Sequence, residues 1–242
     1  MPRRSLQALV AFSTCMACIG TVQATTFSDD NLNDSGAGTL RAAIVSANDN
    51  PGPDTIEFNA GLNGTIVLSS VLESLTDHVD IIGPGAEMIT ISGNSQHQVF
   101  FVSSEKTVTL TGLKITDGQS GISGTGGGIG NEGNLTVTDC VLTNNYAVND
   151  GGAIDNNGGS LIVSQSRFSG NTAESSVGGG IFNDAGTLHI IESTFTGNAA
   201  GFSGGAIHNQ GSVIIEHSTF STTLAGEYGG AIENVDTLTI LN

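Results

Sequence analysis

The sequence predicts an all-β fold: a solenoid of stacked parallel coils with one short helix capping its N-terminal end. Three observations predict it. A block recurs five times in the second half of the chain, as GGGIGN, GGAIDN, GGGIFN, GGAIHN and GGAIEN. Its isoleucines, Ile129, Ile154, Ile181, Ile207 and Ile232, lie 25, 27, 26 and 25 residues apart, a period that marks a stacked-repeat architecture. A second block follows each first one, reading LTVTDCVLTNN (135–145), LIVSQSRFSGN (161–171), LHIIESTFTGN (188–198) and VIIEHSTFSTT (213–223), with LTILN (238–242) stopping midway.

Taken in order, residues 1–24 have the pattern of a secretory signal. Arg3 and Arg4 precede a mainly apolar run from Leu6 to Ile19, and Val22-Gln23-Ala24 supplies small residues for cleavage after Ala24. The run is short for a membrane span. Residues 25–54 form an N-terminal cap. Within it Leu40, Ala43, Ile44 and Ala47 fall on one helical face, with Thr39 as N-cap and Pro51 as stop. A helix there lids the open end of the solenoid, where backbone edges would otherwise be exposed.

Residues 55–242 form the solenoid. Thr55 to Leu68 holds two short strands. Val79-Asp-Ile81, Met88-Ile-Thr-Ile91 and Val99-Phe-Phe101 add more, with Gly-Pro-Gly (83–85) at a bend. Val108, Leu110 and Ile115 keep the spacing of the later repeats, so 105–128 reads as a further coil. In the second blocks the first residue and the one two later are apolar in all five: Leu135/Val137, Leu161/Val163, Leu188/Ile190, Val213/Ile215 and Leu238/Ile240. That is the period of a strand with one buried face. Seven residues after each of the first four starts comes Leu142, Phe168, Phe195 or Phe220, and five after comes a small residue, Cys140, Ser166, Ser193 or Ser218. Each repeat therefore reads as about three short strands joined by Gly- and Asn-rich corners. Coils would stack about 4.8 Å apart, so that equivalent positions form columns.

One column carries a sharper expectation. Asn131, Asn156, Asn183, Asn209 and Asn234 each lie two residues after the repeat isoleucine and share its inward face. A lone buried amide is unfavourable, but a stack of them satisfies itself along the ladder. Asn145, Asn171 and Asn198 form a second column, which ends at Thr223.

Charge and cysteine usage restrict partners and compartment. The chain has 23 acids and six Lys plus Arg; loss of 1–24 removes two Arg and no acid, leaving a net charge of −19. Such a surface repels nucleic acid and anionic lipid. Cys15 and Cys18 form a CxxC inside the signal, so only Cys140 remains in the mature chain and no internal disulfide is available.

With these residues in hand, the chain resembles the polymorphic outer-membrane proteins. GGAI at 151–154, 204–207 and 229–232, GGGI at 126–129 and 178–181, and FSGN (168–171) and FTGN (195–198) carry the resemblance. LTNN (142–145) is a conservative variant and FSTT (220–223) breaks the pattern. The upstream half is similar to the leader of large bacterial secreted proteins, through SGAGTLRAAI (35–44), DTIEF, IIGPGA and LTGLKITDG. The resemblance implies a single-stranded right-handed parallel β-helix, secreted or at the cell surface. It implies no single activity, because function on such a scaffold lives in local sites. The chain stops halfway through a coil, which suggests a truncated piece of a longer protein.

No catalytic set emerges. A polysaccharide lyase of this fold wants a Lys or Arg base beside calcium-holding acids, and the mature chain offers only Arg41, Lys106, Lys114 and Arg167. A glycosidase needs two opposed carboxylates. By alternation the residues after each repeat isoleucine, Gly130, Asp155, Phe182, His208 and Glu233, face outward. This column brings His208 beside Glu233, and the column of Asp139, Gln165, Glu192 and His217 brings Glu192 beside His217. Neither column sets two carboxylates on successive coils. GGAIDNNGG (151–159) departs from the calcium nonapeptide at Ile154 and Asn156, and five histidines show no zinc spacing. No cofactor or metal is expected.

The expected function is that of a secreted or surface-displayed β-helix scaffold acting by adhesion or passenger-type presentation. Its partners would be glycans or proteins of a host or neighbouring cell surface, with no nucleic acid, and with membrane contact only through a C-terminal part beyond this chain. Two alternatives stay open: a carbohydrate-active β-helix enzyme, of lyase or glycosidase type, and a non-functional fragment of a larger surface protein.

Overall fold

A computed structural model describes residues 24–121 and 126–242. The signal expected at 1–24 lies, apart from Ala24, outside the described residues. The described chain winds as a parallel β-solenoid whose strands line up in four sheets of nine, seven, six and five strands. In each sheet a strand pairs in parallel with its equivalents one coil before and one coil after.

The longest sheet runs from Thr26–Asp29 through Asp54–Phe58, Val79–Ile82 and Thr107–Thr111 to the second-block strands, and ends at Thr237–Leu241. The strand Thr26–Asp29 was not anticipated; it extends the sheet one rung into the expected cap by pairing with Asp54–Phe58. Inward positions alternate with outward ones along every strand. Leu135, Leu161, Leu188 and Val213 stack in register, as do Val137, Val163, Ile190 and Ile215. All eight are buried.

A second sheet holds the repeat isoleucines. Ile129, Ile154, Ile181 and Ile207 are buried and in register, and Ile232 extends the column half-buried. A third carries the aromatic column. The rings of Phe168 and Phe195 stack 4.6 Å apart, and those of Phe195 and Phe220 stack 4.9 Å apart. Offset aromatic stacking adds to the area these rings bury.

The fourth sheet corrects the expectation of about three strands per repeat. Tyr146–Ala147, Thr172–Ala173, Ala199–Ala200 and Leu224–Ala225 pair as two-residue strands beyond the asparagine corner. Two residues give no readable alternation, and their inward residue is only an alanine.

The helix Leu40–Asp49 closes the N-terminal end. Thr39 caps it by accepting a 3.2 Å bond from the Ala42 N–H, and Leu40, Ala43, Ile44 and Ala47 are buried. It packs against Thr26–Asp29 and Asp54–Phe58 and continues the core. Arg41 ties it to the next coil. Its guanidinium bonds Asp34 at 2.7 Å, the Ser70 carbonyl at 2.9 Å and the Val71 carbonyl at 2.6 Å. No helix among the described residues is long and apolar enough to cross a membrane, which says nothing of a β-barrel.

Candidate functional site

Three columns of polar side chains run inside the solenoid. In the first, Asn131 Nδ2 donates to Asn156 Oδ1, Asn156 Nδ2 to Asn183 Oδ1, and Asn183 Nδ2 to Asn209 Oδ1, each at 2.6 Å. Asn209 Nδ2 continues to Asn234 Oδ1 at 2.8 Å. The first four asparagines are buried and Asn234 is exposed. Each buried amide also donates to the carbonyl of the corner glycine that follows, Gly133, Gly159, Gly186 or Gly211. Every rung thus satisfies its own backbone corner and the coil beside it, which is how an amide column is tolerated in an apolar core.

The second column works the same way. Asn171 Oδ1 accepts from both the N–H and the side-chain amide of Asn145 at 3.0 Å, and Asn198 Oδ1 accepts from both groups of Asn171 at 3.0 and 2.9 Å. The third column lies at the small residues noted in the sequence, whose bonding role spacing alone did not reveal. Ser166, Ser193 and Ser218 accept through Oγ from the N–H of Cys140, Ser166 and Ser193 at 3.1, 3.1 and 3.0 Å. Each of these serines follows a residue in left-handed backbone, Gln165, Glu192 or His217, with φ of 46 to 48°. The hydroxyl ladder holds that corner against its conformational preference. Burial pushes the Cys140 thiol up to about 11, although backbone N–H groups of Leu113 and Gly112 oppose the shift.

The outer columns differ from expectation. Gly130, Asp155, Phe182 and His208 are buried rather than outward in solvent, and Glu233 is half-buried. Alternation does turn them away from the core, but the segment preceding each isoleucine folds back across that face. Its hinge is a glycine in left-handed conformation, Gly126, Gly151, Gly178, Gly204 or Gly229, where φ is 57 to 70°. A Cβ on any of these five would stand within 2.5 Å of the isoleucine carbonyl oxygen three residues on. The next glycine, as in Gly152 or Gly179, faces the backbone of the following coil at a distance no Cβ could occupy. The two glycines of the motif therefore answer different demands, positive φ and close approach.

The residue before the hinge glycine lies five positions ahead of the covered residue. The pairings read Asp150 with Asp155, Val177 with Phe182, Ser203 with His208 and Tyr228 with Glu233. The third pair is explicit: Ser203 Oγ lies 2.8 Å from His208 Nδ1, and both residues are buried. Gln210 Nε2 lies 3.1 Å from His208 Nε2 and donates to it, which leaves the ring proton on Nδ1, donated to Ser203. In that tautomer the imidazole cannot take the serine proton, so this dyad does not activate a nucleophile. His208 and Glu233 are adjacent in register, but the ring nitrogens of His208 are bonded to Ser203 and Gln210 instead. Burial lowers the His208 pKa, against the opposing charges of Glu233 and Asp150.

Glu192 and His217 lie at equivalent exposed corners, and Glu192 instead accepts a 3.2 Å bond from Gln165. The histidine–carboxylate pair that does form was not anticipated: His189 Nε2 lies 2.9 Å from Glu216 Oε1 on the outer face of the longest sheet. It is diagonal, since His189 stands in register with Ile214, and same-column spacing could not find it. Lys106, Lys114 and Arg167 form no ion pair with described residues. Among the described residues no group of three or more His, Cys, Asp or Glu is placed to hold a metal.

A groove of about 350 Å³ crosses successive coils at the corner after the isoleucine strands. Gly133, Gly159 and Gly186 line it on three successive coils, each followed by a polar residue, Asn134, Ser160 or Thr187, and Glu105 and Glu132 line it too. It is polar and repeats with the coils.

The matched segment sits on this same stack. Residues 192–210 match the Chlamydia polymorphic membrane protein repeat. That span holds FTGN and GGAIHN, hence one rung of the phenylalanine column, one of each asparagine column and one hinge glycine. No curated protein matches the chain. The repeat and the parallel solenoid together bear out the resemblance to a polymorphic-membrane-protein-like β-helix.

Proposed function

We propose that this chain is a surface-displayed β-helix scaffold that acts by adhesion or presentation. The observation that carries the reading is the repeat match at 192–210 within a solenoid whose polar columns are spent on holding coils together. The name of the repeat places its family at a membrane, which supports an outer-membrane or cell-surface location for this chain. A rod built this way offers outward positions at a regular spacing from coil to coil. Thr109, Thr136, Ile162, His189 and Ile214 share one outer row, and the glycine-floored groove repeats alongside.

Such spacing suits weak polyvalent contact with glycans or surface proteins, where linked sites raise avidity without any single strong contact. The net charge of −19 after signal removal disfavours nucleic acid.

The test is to coat beads densely with the purified protein and offer them panels of glycans and of cell-surface proteins. The reading expects binding by coated beads that greatly exceeds binding by the free monomer. Coated beads that retain no more than bare beads across both panels would overturn it. Release of new sugar ends from any glycan would put the carbohydrate-active reading in its place.

A further inference from the structure

The covered column contains one pairing that its neighbours do not explain. In successive coils the turn brings Ser203 onto His208, and Val177, in register with Ser203, holds the same place relative to Phe182. One coil earlier the equivalent positions hold two carboxyls, Asp150 and Asp155, with Gly151 repeating the left-handed hinge of Gly178 and Gly204. Asp155 is 4% exposed, and its Oδ1 is buried with no hydrogen-bond partner. Gly130 precedes it in register and Phe182 follows it, so neither adjacent rung offers a donor side chain. The charged groups that face it are all acids: Asp150 in the turn, Asp184 at the end of the next coil's strand and Glu132 beyond the strand before. No basic side chain is among them.

An unpaired buried carboxylate is strongly disfavoured, and three like charges add to the penalty. The group has two ways out. It can stay protonated beneath the turn, or it can ionise and admit water. Backbone bonds tie the turn that covers it to the coils on either side, among them Gly127 N–H to the Gly151 carbonyl at 3.0 Å, Gly151 N–H to the Val177 carbonyl at 3.1 Å, and Gly152 N–H to the Gly178 carbonyl at 2.9 Å. None of them involves the Asp155 side chain.

We propose that Asp155, together with Asp150 of the turn, is a proton-operated latch: the turn 148–153 closes over the neutral acid and loosens when the carboxylate forms. Burial first, then the charges of Asp150, Asp184 and Glu132, push Asp155 from 3.8 up to about 7. The latch is therefore shut in mildly acidic surroundings and released from neutral pH upward. Within the stack it is confined to one coil, because the equivalent buried positions hold Gly130, Phe182 and a neutral His208, while Glu233 in the last coil is only half-buried. It holds whatever the rod displays.

The test combines two NMR measurements on the full folded chain. Carbon-13 titration of the Asp155 carboxyl should give a midpoint of about 7. Hydrogen exchange at Gly151 and Gly152, corrected for intrinsic rates, should lose protection on the order of tenfold between about pH 5 and about pH 8. Amides of the strand Thr187–Ile191 should change far less. Asp155→Asn, a neutral isostere, should keep the turn protected at both pH values, and Asp150→Ser, which copies the Ser203 arrangement, should bring the midpoint down. A midpoint in the ordinary carboxylate range overturns the proposal, and the wild-type titration yields it even if a variant does not fold. So does an equal loss of protection in Asp155→Asn. Restoration of wild-type protection at about pH 8 by added calcium would overturn it too, by assigning the acids to a cation instead.

Discussion

Ser203 Oγ and His208 Nδ1 lie 2.8 Å apart inside the turn that covers the isoleucine strand, and Gln210 closes the other side of the ring. The histidine is thus held neutral by its surroundings. Burial lowers its folded pKa below the ordinary 6.5, so the unfolded chain takes up the proton first. Stability from this group is fully present above about pH 6.5 and is lost as pH falls toward the lower folded value. Asp155 contributes with the opposite sign, so the comparison must be with a variant. The denaturation midpoint of wild type minus that of His208→Gln should shrink as pH drops from about 7.5 to about 5. A constant difference would place His208 in solvent.

The hinge glycines make a separable claim. Gly204 and Gly158 both have left-handed φ, 66° and 73°, but a Cβ at Gly204 would meet the Ile207 carbonyl whereas Gly158 opens on empty space. Gly158→Ala should show only the left-handed penalty, about 1 kcal/mol. Gly204→Ala should lose clearly more in urea denaturation. Equal losses would mean that the turn does not lie against the strand.

The fourth coil carries a local defect that can be repaired. Asn144, Gly170 and Gly197 occupy a left-handed corner, and Thr222 holds the same place at φ 50°. The next residue, Thr223, ends the second asparagine column after Asn198. A β-branched residue at positive φ is strained. Thr222→Gly with Thr223→Asn should relieve the strain and add a rung that accepts from Asn198, raising stability by about 1–2 kcal/mol. A lower midpoint in thermal denaturation would contradict the column account.

Cys140 heads the hydroxyl column as its one thiol. With its pKa pushed up to about 11 by burial, it should resist alkylation in the folded protein and react once denaturant is added. Cys140→Ser copies the residue of the next three coils and should stay within about 1 kcal/mol of wild type. Rapid labelling of Cys140 under native conditions, read by peptide mass spectrometry, would show that the corner is open.

The coil period and the inward columns were legible because translation along a solenoid places each residue type on itself. An isoleucine or a phenylalanine at constant spacing has nowhere else to go. The helix Leu40–Asp49 was legible for a different reason, since its apolar face and Thr39 are local signals. What escaped was everything set by chain segments folding over one another. Alternation correctly turned His208 and Asp155 away from the core, yet it is blind to a turn returning across that face. The sheet of two-residue strands, such as Thr172–Ala173, is too short to show a period. The Cys140–Ser218 column looked like small residues fitted to a corner, because spacing reveals size before it reveals bonding.

The asparagine column is an interior, bonded structure. Asn183 accepts from Asn156 and donates to Asn209, each at 2.6 Å. Thr196, by contrast, makes an exposed hydroxyl contact with Ser221. The most direct measurement is the urea midpoint of Asn183→Leu beside that of Thr196→Ala. Asn183→Leu breaks two rungs and strands polar groups in the core, at a cost of about 1–3 kcal/mol; Thr196→Ala should fall within about 0.5 kcal/mol of wild type. Equal midpoints for the two variants would contradict the account.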